Sequence, residues 1–422
     1  MFIAGEPSGD ILASELVQAL RQRLATFEPA PTNDYQPLQS TLDARFFGAG
    51  GPRMAAAGVE VFLDMTQHSV IGLSDALKNV FKFRRIFHQL FRLALEREPD
   101  LIICVDFAGF NRRVAHAVRR NVRSRAGWFQ NWHPRIVQFV SPQVWASRES
   151  RVYQIAEDYD LLLSIFPFEK EWYAKRVPRL RVEFVGHPIV DRYANLKAAP
   201  TKPSAASQSA TDHADVVGLN PSQSLLLLPG SRPGELARHL PVMLKALAVM
   251  RNVMPDLPVC MVVPNESLLE QAKQFGLPAD VTAQVGGLPE ILQKIDVAIA
   301  STGTVTMECA YFGVPTVAMY KTSWTTFAVA KQIIKVRYLA MPNLLVGEEL
   351  FPEFIQYAAT PEHIARAALD LLGDENRRQR IKARLAEIVS SLGGPGATQR
   401  AANAIVRLVD LSPVLASSAA LD

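Results

Sequence analysis

A chain of 422 residues exceeds one ordinary core, and typical domain sizes predict two domains of about 200 residues each. A content of 49% hydrophobic and 20% charged residues excludes a disordered polymer, which lacks the apolar side chains to offset its ordering entropy. The formal charge of +4 is small, and the three cysteines, Cys104, Cys260 and Cys309, lie far apart in apolar runs, so neither a disulfide framework nor a zinc cluster is expected and a reducing cytoplasm fits best.

The chain enters at once an apolar run, Phe2 to Ala4, followed by the loop Gly5-Glu6-Pro7-Ser8-Gly9-Asp10 and a helical pattern from Gly9 to Leu24. No signal peptide precedes it, and no stretch approaches the roughly 18 uninterrupted apolar residues of a membrane span, so membrane contact is expected to be peripheral. Phe2 to Ala4 is short for a central strand, which points to a clipped strand or a late start codon. Further on, Val70-Ile71-Gly72-Leu73 fits no strand alternation, and Val80, Phe83, Phe87, Leu90, Phe91 and Ala94 recur at helical spacing with Lys78, Lys82, Arg85 and Arg92 on another face. Val70, Ile71, Leu73, Phe83, Phe87 and Arg85 are therefore candidates for contact with a membrane or acyl chain; a core-packed helix with a solvated basic side is the alternative.

Leu101 to Val105 reads as a buried strand, and Asp106 follows it directly in Val105-Asp106-Phe107-Ala108-Gly109-Phe110-Asn111. A carboxylate at a strand's carboxyl end can take a proton from an attacking hydroxyl, although aspartate is also a common turn former. The helix expected over Arg112 to Arg123 is rich in arginine, with Arg112, Arg113, Arg119, Arg120, Arg123 and Arg125 in a stretch without an acid. It suits either a solvated face or an anionic partner such as lipid phosphate or nucleic acid. Strands at Ile136 to Val140 and Leu161 to Ile165 complete a doubly wound α/β pattern. His187, in Val185-Gly186-His187-Pro188, ends a strand-like run and could position a ligand or serve as a hydrogen-bonded structural group.

From Asn195 to Gln223 the composition turns to Ser, Thr, Ala, Pro and Lys, the signature of a linker or surface excursion. Strands then resume at Leu225 to Leu228, Val259 to Val263, Val297 to Ala300 and Val314 to Met319. The domains read as 1–194, 224–375 and a helical tail over 376–422 that could pack back on the first domain. In Leu228-Pro229-Gly230-Ser231-Arg232-Pro233-Gly234-Glu235, Gly230 clears space, Ser231 offers a hydroxyl and Arg232 a planar fork matched to phosphate oxygens. The loop lacks the Lys-Ser/Thr ending of a Walker A motif. Ser301-Thr302-Gly303-Thr304 opens a second helix whose start favours an anion, and Glu308 follows one turn on, where ribose hydroxyls would lie. Each loop alone could be an ordinary turn or cap; together they make a nucleotide diphosphate the economical ligand.

Taken in order, Gly5 to Asp10, Gly50-Gly51-Pro52-Arg53-Met54, Val140 to Ala146, Phe166-Pro167-Phe168-Glu169-Lys170, Phe184 to Pro188, Leu228 to Arg232, Thr302-Gly303-Thr304 with Glu308, and Pro342-Asn343-Leu344-Leu345 resemble the lipid-A-disaccharide synthase family of inverting glycosyltransferases. The resemblance spans almost the whole chain. It implies the GT-B architecture, two Rossmann-like domains whose parallel sheets face an interdomain cleft. It also implies transfer from UDP-2,3-diacylglucosamine to 2,3-diacylglucosamine 1-phosphate with neither metal nor other cofactor, at the inner face of the cytoplasmic membrane. Asp106 matches the proposed base; Arg232, Asn343 and Glu308 match positions associated with the donor nucleotide. Glu6, Ser8, Gly9, Asp10, Asn111 and His187 are candidates for the acceptor or sugar side. An anionic membrane surface is an expected partner and nucleic acid is not. The family includes homodimers with exchanged C-terminal segments, which makes the stretch after Glu375 a candidate for crossing to a partner.

The chain departs from the family pattern at Gly109, where a second aspartate is usual, at Ser147, where tryptophan is usual, and at Pro233, where a second basic residue is common. Gly109 weakens any mechanism needing two carboxylates in that loop. It keeps alive a catalytically silent nucleotide-binding protein, beside the other rival, a related enzyme acting on UDP-N-acetylglucosamine such as an epimerase. A dinucleotide-dependent dehydrogenase is disfavoured because no Gly-x-Gly-x-x-Gly occupies a strand-to-helix turn.

Overall fold

The computed structural model describes residues 1–25, 44–66, 76–125, 127, 131–198 and 223–410. In chain order the first half comprises β1 (Phe2–Ala4), α1 (Pro7–Ala25), β2 (Phe47–Gly50), α2 (Pro52–Ala56), β3 (Glu60–Asp64), α3 (Ala76–Arg97), β4 (Leu101–Val105) and α4 (Ala108–Arg125). It continues through β5 (Arg135–Phe139), α5 (Arg151–Asp158), β6 (Leu161–Ser164), α6 (Pro167–Ala174), β7 (Arg181–Phe184) and α7 (Pro188–Ala198). The second half holds β8 (Leu225–Leu228), α8 (Pro233–Arg251), β9 (Val259–Val263), α9 (Glu266–Gln274), β10 (Val281–Val285), α10 (Leu288–Leu292), β11 (Val297–Ser301) and α11 (Thr304–Tyr311). After β12 (Thr316–Tyr320) come α12 (Trp324–Ile333), α13 (Met341–Val346), β13 (Glu353–Ile355), α14 (Pro361–Gly373), α15 (Glu375–Ser391) and α16 (Ala397–Asp410).

The strands form two sheets, ordered β3-β2-β1-β4-β5-β6-β7 and β10-β9-β8-β11-β12-β13, and every pairing is parallel. Parallel strands covered by helices on both faces read as continuous apolar runs, which is why Leu225–Leu228 and Val297–Ala300 are fully buried. The strand order reverses between β1 and β4 in one sheet and between β8 and β11 in the other. At such switch points the connecting helices depart to opposite faces and leave a crevice at the strands' carboxyl ends. The topology thereby sets the Gly5–Asp10 loop beside the Asp106 loop, and the Pro229–Arg232 loop beside Ser301–Thr304.

The chain divides into two compact units, Met1–Asp191 with the chain from Leu392 onward, and Arg192–Ser391. Two expected boundaries need correction. The linker does not begin at Asn195, because α7 runs to Ala198. Nor does the second domain end at 375: α15 packs on α11, α13 and α14 in the second unit, and of the helices expected over 376–422 it is α16 that returns to the first and lies along α1. Gly393-Gly394-Pro395-Gly396 separates them, with Gly393 and Gly396 at positive φ. The return is fastened by His187 N–H to the Leu392 carbonyl at 2.9 Å, by the Arg400 Nε donating to the Val185 carbonyl at 2.7 Å, and by Asp191, whose carboxylate accepts from the Gly396 and Thr398 N–H groups at the start of α16.

Candidate active site

At the carboxyl edge of the first sheet, Asp106 and Phe107 carry φ of 50° and 42°, and Val140, at the end of β5, carries 60°. Non-glycine residues in this region cost about 1–3 kcal/mol each and persist only where the surroundings enforce them. Two fully buried amides do so. The Asn111 Nδ2 donates to the Asp106 carbonyl at 2.8 Å and to the Val105 and Ile3 carbonyls at 3.3 and 3.4 Å. From β5, the Gln138 Nε2 donates to the Asp106 carbonyl at 2.9 Å and to the Val140 and Phe139 carbonyls at 3.3 and 3.4 Å, while the Gln138 Oε1 accepts from the Tyr159 hydroxyl at 3.2 Å. The Asp106 N–H in turn donates to the Phe139 carbonyl at 2.7 Å.

Small residues let the neighbouring loop close on this turn. A Cβ on Gly5 would fall 2.1 Å from the Phe107 ring, and one on Gly9 would touch the Asp106 Cβ at 3.7 Å. Half-buried Glu6 and exposed Ser8 belong to the same loop and first turn of α1. Asp106 itself is half-buried, and Gly109 is exposed with open space where its Cβ would point.

Several predicted contacts have structural posts. The Asp10 carboxylate is buried and accepts from the N–H groups of Gly51, Arg53 and Met54 at 2.8, 3.0 and 3.1 Å, capping α2. This ties Gly5–Asp10 to Gly50–Met54, and it spends the carboxylate on the fold rather than on a sugar. Asn111 is wholly buried as the clamp just described. The His187 Nδ1 accepts from the Ile189 N–H at 3.1 Å at the start of α7, with Phe166 against its ring. Phe83 packs against Phe107 and Phe110, and Phe87 stacks on Phe91, both half-buried against the core of the first unit. The aromatic side chain that α3 exposes is Phe81, at 75%. Arg85 is exposed and lines a groove of about 650 Å³ with Phe62, His88, Arg92 and Arg97. Val70, Ile71 and Leu73 lie outside the described residues.

Glu169 was missed as a site organiser. Fully buried, it accepts from the hydroxyls of Ser141 and Ser164, each at 2.6 Å, and from the Trp145 indole N–H at 2.9 Å, so it joins the Val140–Ala146 and Phe166–Lys170 motifs. Burial pushes its carboxyl above the ordinary value, against those three donors.

In the second unit the arrangement differs. Gly230 has φ 122°, and a Cβ there would lie 2.7 Å from the Glu235 Oε2. Glu235 folds back from the first turn of α8 to accept from the Ser231 N–H at 3.2 Å, and it pairs with Arg232 at 3.5 Å. Arg232 is thus pre-aimed by an acid on its own helix, with nearly half its side chain in solvent. His239, a second missed residue, spans the buried floor: its Nδ1 donates to the Pro229 carbonyl at 2.8 Å and its Nε2 accepts from the Lys321 N–H at 3.0 Å. Burial lowers its pKa, which favours the neutral ring that this pairing requires.

Across the switch point, Gly303 has φ 138° with open space at its Cβ position, and the Thr306 hydroxyl donates to its carbonyl at 2.7 Å. Ser301 is buried; Thr302 is half-buried and Thr304 exposed at the start of α11. Glu308 accepts from the Tyr193 hydroxyl at 3.2 Å and faces Arg192 at 3.9 Å, while burial raises its pKa. Asn343 departs from expectation. Wholly buried, its amide donates to the Phe351 carbonyl and the Glu353 carboxylate at 2.7 and 2.8 Å, and its carbonyl accepts from the Leu350 and Phe351 N–H groups at 2.9 and 2.8 Å. Those bonds use both amide protons and both carbonyl lone pairs, so Asn343 shapes the 339–353 segment and has nothing left for a nucleotide.

Among the described residues there is no cluster of His, Cys, Asp and Glu able to hold a metal ion, and no helix is long and apolar enough to cross a membrane. The sequence model of the family described as lipid-A-disaccharide synthetase matches residues 1–407. Lipid-A-disaccharide synthase of Trichlorobacter lovleyi is 33% identical over 98% of this chain and 98% of its own length, and that of Geobacter metallireducens is 34% identical over 97% of each. Among solved structures, the calicheamicin glycosyltransferase CalG4 superposes with a TM-score of 0.55 at 18% identity over 98% of both chains. A UDP-N-acetylglucosamine 2-epimerase from Listeria monocytogenes gives 0.53 at 14% identity over 96% of this chain and 94% of its own. These two likenesses establish the GT-B fold and leave the reaction to be argued from the sequence relatives and the residues.

Proposed function

Because the chain belongs to the lipid-A-disaccharide synthetase family of glycosyltransferases, we propose that it joins UDP-2,3-diacylglucosamine to 2,3-diacylglucosamine 1-phosphate, giving the β-1,6 disaccharide 1-phosphate and UDP. The observation that carries the assignment of roles is the pair of switch points, one presenting Asp106 on a turn clamped by its main-chain carbonyl and the other two glycine-opened helix starts. Asp106 takes the proton of the acceptor's 6-hydroxyl as its oxygen attacks the donor's anomeric carbon. The bond from that carbon to the diphosphate breaks on the opposite face, which inverts the configuration. The charge left on UDP is met by Arg232 and by the N–H groups at the starts of α8 and α11, with Ser301, Thr302 and Thr304 offering hydroxyls. Glu308, one turn into α11, is placed for the ribose. No step calls for a metal ion.

The acyl chains of both substrates require access to a bilayer, and the exposed Phe81, the basic face of α3 and Arg85 suit peripheral attachment to the inner face of the cytoplasmic membrane. The test is incubation of the purified protein with both acylated sugars in detergent micelles, followed by mass spectrometry. Formation of disaccharide and UDP in equal amounts is expected; absence of both products would sink the assignment.

A further inference from the structure

The arginine-rich helix α4 is not electrostatically uniform. Starting from its end remote from the sheet's carboxyl edge, Arg123 faces Glu157 at 3.8 Å, Arg119 pairs with Asp160, and the His116 Nδ1 lies 3.0 Å from Asp158. Arg123 thus pairs with α5 and Arg119 with the turn that follows it, while His116 hydrogen-bonds the last residue of α5. Nearer the edge, where α4 begins two residues after Asp106, the pattern changes. Arg112 donates to the neutral side chain of Gln154, and Arg113, Arg148 and Arg151 have no acidic side chain within ion-pair distance among the described residues. Glu149, the acid between Arg148 and Arg151 in sequence, is turned away to Arg176, which also stacks on Trp172. Arg148 holds φ 55° while its carbonyl accepts from the Arg151 N–H at 3.0 Å, so a strained turn brings these two arginines to the start of α5.

The Arg112–Gln154 hydrogen bond ties α4 to α5 one turn beyond Arg151, and burial together with the charges of Arg148, Arg112 and Arg113 depresses the pKa of Arg151. Gathering like charges and steering the local acid elsewhere is unfavourable without an anion to share, and arginine's planar fork matches phosphate oxygens. We propose that Arg112, Arg113, Arg148 and Arg151 form a phosphate-binding site at the carboxyl edge of the first sheet, which takes the phosphate group of a lipid substrate. The acceptor's 1-phosphate is the source that places its other end toward Asp106, and this assignment rests on the reaction proposed above. A bilayer headgroup presents the same anion.

The test compares wild type, Arg148→Gln/Arg151→Gln and the exposed single variant Arg113→Glu, each checked for folding by circular dichroism. In detergent micelles, KM for 2,3-diacylglucosamine 1-phosphate should rise about tenfold or more, the worth of lost charge-assisted hydrogen bonds. The same acceptor without its phosphate, and the UDP-sugar, should show unchanged KM. Flotation with vesicles of phosphatidylglycerol in phosphatidylcholine forms the second arm: lost flotation with an unchanged acceptor KM assigns the site to headgroups. Should the wild type yield no disaccharide, the reaction fails but the site does not. Calorimetric titration with glucosamine 1-phosphate against glucosamine then reads it directly. Variants that match the folded wild type in KM, flotation and titration overturn the site; if the double variant does not fold, Arg113→Glu decides.

Discussion

The two sheets reverse their strand order at equivalent places, yet the turns beside those reversals are built differently. In the first unit the sharp turns are taken by Asp106, Phe107 and Val140, residues for which positive φ is costly. Buried Asn111 and Gln138 hold those turns by their carbonyls. In the second unit the turns after β8 and β11 fall on Gly230 and Gly303, whose φ of 122° and 138° glycine takes readily. Strain is worth maintaining only where a particular side chain must be aimed, whereas glycine suits an edge where a ligand must approach the backbone. The reaction proposed above uses the first edge for its base and the second for the donor's diphosphate.

The largest effect should come from the aimed side chain. Asp106→Asn keeps the turn and removes the base, so turnover should fall by about 10²- to 10⁴-fold while calorimetry finds UDP affinity unchanged. Substantial residual turnover would break the contrast at its strongest point. Next is Gly230→Ala, which puts a Cβ against Glu235 in a conformation costing about 1–3 kcal/mol; UDP should bind about ten- to a hundredfold more weakly. Retained UDP affinity would show that the second edge does not need its glycine.

Gln138→Leu sharpens the comparison further, because it removes the clamp without touching the base. We expect kcat to drop about tenfold with little change in KM, along with about 1–3 kcal/mol of stability for the Val140 carbonyl left unpaired. A loss of stability alone would make Gln138 purely structural. The smallest effect is one of pH. Burial holds Glu169 above the ordinary carboxyl value, so between the two values the folded chain keeps a proton that the unfolded chain has released. Stability should fall as pH climbs through that window, and Glu169→Gln should flatten the slope in thermal melts. An unchanged slope would mean that another group sets it.

Much of the architecture was legible because parallel strands buried on both faces advertise themselves as apolar runs; Leu225–Leu228 and Val259–Val263 were read at their observed bounds. The Gly230 and Ser301–Thr304 loops were legible because backbone freedom and hydroxyls at helix starts are properties of residue type. The direction in which a polar side chain points is not such a property. Asp10 and Asn343 look like ligand contacts in a motif and turn out to be satisfied by backbone groups brought from 41 and 8 residues away. Gln138, a polar residue inside a strand, and His239, inside an amphipathic helix, carried no periodic signal of the loops they hold. By contrast, the break between α15 and α16 was written in Gly393-Gly394-Pro395-Gly396 and passed unread within a longer helical pattern.

The return of α16 to the first unit has a consequence for the order of events during synthesis. Ala401, Ala402, Ala404 and Ile405 are buried in a helix that lies along α1, so the surface of α1 that meets α16 stays uncovered until the ribosome has passed residue 410. The second unit, continuous from Arg192 to Ser391, is complete before that. The half of the chain made first is thus the half that finishes folding last, and a nascent chain stalled before Leu392 would present α1 to chaperones beside an already folded neighbour.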